Sequence, residues 1–509
     1  MTALVKRLTR RITRFSGRAV DALTGTRDEL WRLVLVVGVI SGLTGALYIA
    51  ALKLMTRVLG AGSWSDRSHL VVLVLIGGAI GLLTLVLGSP GDVELLVDNI
   101  HVNGGRSDIR ELRSLIPVSL LGIASGSSIG PEAPLVQSTG GLGNWTAMRR
   151  RLGVADSRVL TITGMAAGFA VLFGAPLGSA IFALEILHRR GLEYYEALLP
   201  AGIGALTGYA LYISLNRVGF QPVWTFPVPH DLQPVDLLVG LAAGVVGAVV
   251  ATAFTYLSRF ERELFRHLPA AVRPVVGGLA LGGLAFLSPY ALTFGEGQIQ
   301  HVATSRIAIA TLLFAALIKL VSSSTILSAG WRGGFIIPLF FMGAVLGSAG
   351  AQAFHVDAIV AMTATMAACN VGVTKTPLGS ALVVAEMAGL RLLPSTFLAS
   401  VVALFLTSRV SMIEAQRTRE GAFDKAVIDR DAQVETLDPE SDGDGTGDGT
   451  GERGGERDGG RDVSRGSSHP IAGPAAPGHA SPGRRPPARR DAPDHGGATA
   501  KHPAEGSRG

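Results

Sequence analysis

An all-α, polytopic membrane protein with broken helices at its centre is the fold the sequence predicts, and three observations predict it. Only 17% of the 509 residues are charged against 48% hydrophobic, with a mean hydropathy of +0.40, whereas soluble proteins carry about 25% charged residues. The charges leave uncharged runs at 33–52, 68–91, 159–184, 197–216, 237–258, 274–295, 333–356 and 392–408. Each is close to or above the roughly 18 to 20 residues that cross a bilayer as helix. Finally, a segment interrupted by glycine and proline occurs twice in the chain. A soluble enzyme is excluded.

In residues 1–32, Leu4, Leu8, Ile12, Phe15, Val20 and Leu23 alternate with Arg and Lys, which suits an amphipathic helix lying on the cytoplasmic leaflet. Lys6, Arg7, Arg10, Arg11, Arg14 and Arg18 beside the first span place that end in the cytoplasm. A cleaved signal is the competing reading, but 33–52 lacks a small-residue cleavage signature and many further spans follow.

Residues 33–415 form the membrane domain. Between the long runs lie shorter apolar segments, 115–131, 133–148, 307–318, 358–374 and 376–385, which read as helices that enter without crossing. Non-helical backbone at membrane depth must be buried in protein or line a wet cavity, so these interruptions imply a solute pathway. The single cysteine, Cys369, allows neither an internal disulfide nor a thiolate metal site. No cofactor and no nucleic-acid partner are expected.

From 416 to 509 the chain loses its apolar periodicity. Residues 441–509 hold 17 Gly and 8 Pro, a composition that cannot bury enough surface to fold. Asp442, Asp444, Thr446 and Asp448 look superficially like a calcium loop, but Arg453 stands where the bidentate glutamate belongs. No folded regulatory domain is expected after 415.

The repeat is the most informative feature. Ala175-Pro-Leu-Gly-Ser-Ala-Ile-Phe-Ala-Leu-Glu185-Ile is matched by Thr376-Pro-Leu-Gly-Ser-Ala-Leu-Val-Val-Ala-Glu386-Met, 201 residues on. Upstream, Ser125-Gly-Ser-Ser-Ile-Gly-Pro-Glu-Ala-Pro134 pairs with Ala329-Gly-Trp-Arg-Gly-Gly-Phe-Ile-Ile-Pro338, their final prolines 204 apart. Such duplicated units, often inverted, place the substrate where broken helices meet. The breaks are predicted at Gly130–Pro134 and Gly333–Pro338, where glycine lets the chain turn and proline suits a helix's first turn.

Both breaks then point helix N-termini inward, and these offer unpaired N–H groups and about half a positive charge to an anion. Gly130 and Gly334 are the candidate turn residues. Glu132 adds a carboxylate at membrane depth, which costs roughly 2.5 to 3.5 kcal/mol on insertion scales. Ionised, it is itself an anion that can fill the site; protonated, it leaves. Glu132 is therefore a candidate gate, with a simple helix-capping role as the competing reading.

These motifs resemble those of the ClC family of chloride channels and proton/chloride antiporters. Gly130-Pro-Glu132-Ala-Pro134-Leu-Val-Gln137 resembles the family's gating-glutamate motif and Gly334-Phe335-Ile336-Ile337-Pro338 its second anion motif. Lys319, with the Ser/Thr-rich stretch to Thr325 and the Pro-Leu-Gly-Ser repeats, falls in the family's order. Over 33–415 the resemblance implies an inverted-repeat fold, Glu132 as gate and the backbone amides of Phe335 and Ile336 as anion donors. It also implies chloride as transported ligand, a homodimer in the lipid bilayer of the cell membrane with one pore per subunit, and both termini in the cytoplasm.

Three departures bear on mechanism. The first anion motif should fall near Pro90-Gly91-Asp92-Val93-Glu94, where the serine ligand is absent and Gly91 is left as a backbone candidate. Asp92 is expected to cap a helix over Val93–His101, with Glu94 and Asp98 stacked on it. In place of the pore tyrosine, Ser411 is the nearest hydroxyl. At the internal proton-transfer position stands Ile186, next to Glu185, which recurs as Glu386 and so suggests a structural role in both halves.

Without a titratable side chain at 186, uncoupled or weakly coupled anion transport is expected. A proton-coupled antiporter using another route such as His188, or transport of fluoride or nitrate, is the alternative. Gly126-Ser-Ser128-Ile-Gly130 formally matches a serine-hydrolase elbow, which needs a strand, a sharp turn and a helix. A carboxylate-substrate transporter would also use broken helices. Arg332 either draws anions to the pore or meets headgroups together with Trp331.

Overall fold

The computed structural model describes residues 27–91, 97–98, 100–101, 110–189, 192–217, 223–224, 226–227 and 231–416. Asp92, Val93 and Glu94, most of the expected 1–32 helix and the tail from 417 onward lie outside the described residues.

Every regular element described is helical. The chain runs α1 (Arg27–Leu59), α2 (Asp66–Leu87), α3 (Arg110–Ala124), α4 (Glu132–Arg149), α5 (Val154–Phe173), α6 (Pro176–Glu185) and α7 (Leu198–Asn216). It continues through α8 (Pro234–Phe265), α9 (Arg273–Leu287), α10 (Glu296–Thr304), α11 (Ile309–Ser328), α12 (Ile336–Phe354), α13 (Ala358–Thr374), α14 (Pro377–Ala388) and α15 (Leu393–Leu406). Among the described residues, 7 helices are long and apolar enough to cross a membrane. Leu47, Leu75, Val249 and Leu317 are among their apolar side chains that face outward, as a lipid surround requires.

The sequence repeat is a structural repeat. α3 to α7 correspond in order to α11 to α15, and α1 and α2 to α8 and α9. Packing follows the same correspondence: α4 lies on α5 and α12 on α13, α5 meets α7 and α13 meets α15, α1 rests on α7 and α8 on α15. The halves join where α6 packs on α14. A Cβ on Gly178 would stand 2.6 Å from Val383 N, and one on Gly379 2.5 Å from Phe182 Cα. Small residues there let the helices touch backbone to backbone, which drives association in lipid.

α5 and α13 are buried almost all round, so their polar side chains need internal partners. Thr161 and Thr163 donate to Ser157 O and Val159 O, both at 2.8 Å. Thr363 and Thr365 repeat this with Ile359 O and Ala361 O at 2.7 Å. These hydroxyls are thus satisfied within the two helices that stand behind the breaks.

Three sequence-level expectations are corrected. The segment 307–318 is not a short entering helix, because α11 continues through Lys319 to Ser328 and has crossing length. Lys319 is fully buried, but its Nζ donates to Leu292 O at 3.1 Å and Thr293 O at 2.7 Å. Conversely, the runs 274–295 and 392–408 hold helices of only 15 and 14 residues. An absence of charge does not mark where a helix stops.

Candidate functional site

The two breaks meet face to face. Gly130 N donates to Gly334 O at 2.8 Å and Gly334 N to Gly130 O at 2.6 Å, a single antiparallel bridge between the repeats. α4 begins just after it at Glu132 and α12 at Ile336, with Pro134 and Pro338 in their first turns. Neither proline has an N–H to leave unsatisfied there. Both helix N-termini therefore converge on one point.

Glu132 occupies that point. It is fully buried, and its Oε1 accepts a 2.5 Å hydrogen bond from Ile337 N, in the first turn of the other half's α12. Among the described residues its Oε2 has no hydrogen-bond partner. Gly130 and Gly334 pack against the carboxylate: a Cβ on Gly130 would lie 2.7 Å from Glu132 Cδ, and one on Gly334 2.9 Å from Glu132 Cβ. Any side chain at either position would have to displace the acid.

Three cavities adjoin it. A central one of about 20 Å³ is lined by Glu132, Gln137, Phe169, Ile186, Phe335 and Ile336, room for one water-sized species. It shares Ala133, Gln137 and Phe335 with a cavity of about 80 Å³ that Arg262, Arg332 and Gly91 also line. Beyond the acid, Pro131 and Ile337 line a third of about 670 Å³ that presents Lys53, Arg57 and Glu296. Glu132 stands between the narrow cavity and the wide one, and basic side chains line the approaches on both sides.

Gly130, Glu132, Gly334, Phe335 and Ile336 are thus brought together, and Gly91 reaches the Arg332 cavity. Ser411 is not: its hydroxyl donates to Ile413 O at 2.8 Å, while Met412 and Ile413 line the cavity. Trp331 is 1% exposed and donates to Pro274 O at 2.9 Å, so it is a core residue, not a headgroup anchor. Arg332 faces the cavity beside Arg262. Arg262, Lys53 and Arg57 carried no signal in the sequence, because nothing local marks a basic residue on a long helix as facing a cavity.

Glu185 has a different task from Glu132. Its oxygens accept from Leu378 N at 3.1 Å and Gly379 N at 2.6 Å, the first turn of α14. Glu386 returns the arrangement, accepting from Leu177 N at 3.3 Å and Gly178 N at 2.6 Å in α6. Each repeat caps a helix of the other, as a carboxylate at a helix N-terminus favours. Ile186 is left facing the central cavity.

The Ser/Thr run is also structural. Ser322 Oγ donates to Ser128 Oγ at 2.9 Å, Ser323 Oγ to Ser128 O at 2.7 Å, and Ser324 and Thr325 to Glu261. The hydroxyl hydrogen bonds of Ser128 are to serines, not to a histidine. Lying among helices rather than on a strand-to-helix elbow, it lacks the setting of a hydrolase nucleophile.

Comparison with known proteins gives the family and the fold. Residues 88–408 match the family model described as voltage gated chloride channel. The "Chloride/fluoride channel protein" of Pseudomonas syringae pv. tomato is 29% identical over 399 residues, covering 75% of this chain and 85% of that protein. The "H(+)/Cl(-) exchange transporter ClcA" of Yersinia pestis is 26% identical over 355 residues, covering 65% and 74%. Among solved structures, a CLC-type fluoride/proton antiporter superposes with a TM-score of 0.67 at 26% identity, covering 77% of this chain and 98% of that one. A slow cyanobacterial Cl−/H+ antiporter shares the fold, with a TM-score of 0.64 at 19% identity. The chain belongs to the voltage gated chloride channel family and is an anion-transporting membrane protein, not an enzyme.

Proposed function

We propose that this protein carries chloride or a similarly small halide through a pore gated by Glu132. The observation that carries the reading is the bond from Ile337 N to Glu132 Oε1. A carboxylate oxygen there stands in for a transported anion, because it takes the amide and the helix N-terminal field that an anion would take. Donors of partial charge hold a halide without trapping it, as conduction requires. Gly130, Gly334 and the amides of Phe335 and Ile336 form the rest of the site, and Gly91 contributes backbone to the approach.

In this account the Glu132 side chain competes with the halide. Protonation removes its charge, weakens its hold on the amide, and opens the passage between the Arg332 and Lys53 cavities. Ile186 offers no proton acceptor on the central cavity, so flux is uncoupled or only weakly coupled to protons. Fluoride is the second reading, favoured by the similarity to a chloride/fluoride channel and to a fluoride/proton antiporter. The expected assembly is a homodimer in the cell membrane, one pore per subunit, both termini cytoplasmic.

The test is efflux of chloride, fluoride, nitrate and glutamate from voltage-clamped proteoliposomes, with proton uptake recorded simultaneously. Halide efflux without a fixed proton ratio is expected, and glutamate is retained. A fixed proton-to-halide ratio would overturn the uncoupled reading, and absence of halide efflux the function itself.

A further inference from the structure

We propose that the side-chain amide of Gln137 is a direct ligand to the transported halide, replacing the hydroxyl ligands that this chain does not supply. The inference deepens the halide reading above and rests on it. Glu132, Ala133, Val136 and Gln137 fall on one stripe of α4 and together line the central cavity. Gln137 also lines the Arg332 cavity. Its side chain therefore stands at the neck where the two cavities join, one helical turn beyond the gate.

Burial and hydrogen bonding make it a ligand rather than a wall. Gln137 is 8% exposed, and its amide has no hydrogen-bond partner among the described residues. An amide that lines both cavities without a protein hydrogen bond is open to an anion on that path. Two neutral side-chain donors nearby are committed elsewhere: the Ser411 hydroxyl to Ile413 O and the Trp331 indole to Pro274 O. Arg262 and Arg332 draw anions into the same cavity, but they carry full charge. Gln137 presents a neutral N–H donor, which can bind an anion and release it.

This assignment predicts an effect on selectivity as well as affinity. Fluoride is smaller than chloride and a stronger hydrogen-bond acceptor, so it gains more from one added N–H. Gln137→Met keeps the side chain's length and removes the donor. Ser138→Ala is the control, since the Ser138 hydroxyl donates to its own helix at Pro134 O.

The experiment measures halide binding to the detergent-purified full chain by calorimetry, and the fluoride-to-chloride flux ratio in proteoliposomes. Gln137→Met is expected to bind halide roughly tenfold to a hundredfold more weakly, as loss of one hydrogen bond to a charged ligand implies. Its fluoride-to-chloride ratio is expected to fall, and Ser138→Ala to match the wild type. Should Gln137→Met not fold, Gln137→Glu serves. It is expected to lose halide binding at neutral pH and regain it on acidification, when the carboxyl becomes a donor. Folded Gln137→Met with unchanged affinity and ratio, or Gln137→Glu with unchanged binding at neutral pH, would overturn the assignment alone. A wild type that neither binds nor moves halide would overturn the halide reading with it.

Discussion

At Glu132 a single short bond to Ile337 N holds a buried carboxylate against the first turn of a helix 205 residues away in sequence. The glycines around it are part of that arrangement. A valine at Gly334 would drive its Cβ to 2.9 Å from Glu132 Cβ, and overpacking of this kind costs about 1 to 3 kcal/mol. Gly334→Val is therefore expected to cut halide flux about tenfold or more while circular dichroism stays unchanged; wild-type flux would show that the break is not on the path. Glu132, Gly130 and Gly334 were legible because each sits in a local motif whose chemistry is unusual at membrane depth. The partner at Ile337 was not, since nothing in either segment states which amide the acid meets. The surroundings of Trp331 and Ser411 were not legible for the same reason: a partner at Pro274 O or Ile413 O is settled by tertiary packing.

Among the helices, the reciprocal caps formed by Glu185 on α14 and Glu386 on α6 join the two repeats. Hydrogen bonds to charged groups contribute about 1.5 to 3 kcal/mol. Glu185→Ala is expected to lower stability by roughly that amount in detergent unfolding monitored by circular dichroism. Glu386→Ala should cost less, because Glu386 is only half-buried whereas Glu185 is 1% exposed. Equal, negligible effects would mean that the caps do not hold the halves together. Recurrence of Glu185 as Glu386 was visible in the sequence, and so was a structural role; that each would cap the other half required the fold. Helix limits were less legible. Lys319 ended an uncharged run without ending α11, because Leu292 O and Thr293 O receive its ammonium.

On the scale of the molecule, duplication explains why two helix N-termini converge at all. One break would offer one N-terminus; the repeat supplies the second and bonds it to the first through Gly130 and Gly334. The fold class and the repeat were readable from charge spacing and the recurring Pro-Leu-Gly-Ser segments. The cavities were not, because Arg262, Arg332 and the pair Lys53 and Arg57 come from three separate stretches of chain. Together they place basic side chains on either side of one carboxylate, and the central claim is that this carboxylate is the gate. The most direct measurement is halide efflux from proteoliposomes across a pH series, wild type against Glu132→Gln. Wild-type efflux is predicted to rise as pH falls, because protonation releases Glu132 from Ile337 N, whereas Glu132→Gln should conduct with little pH dependence. A mutant that keeps the wild-type pH profile would contradict the account.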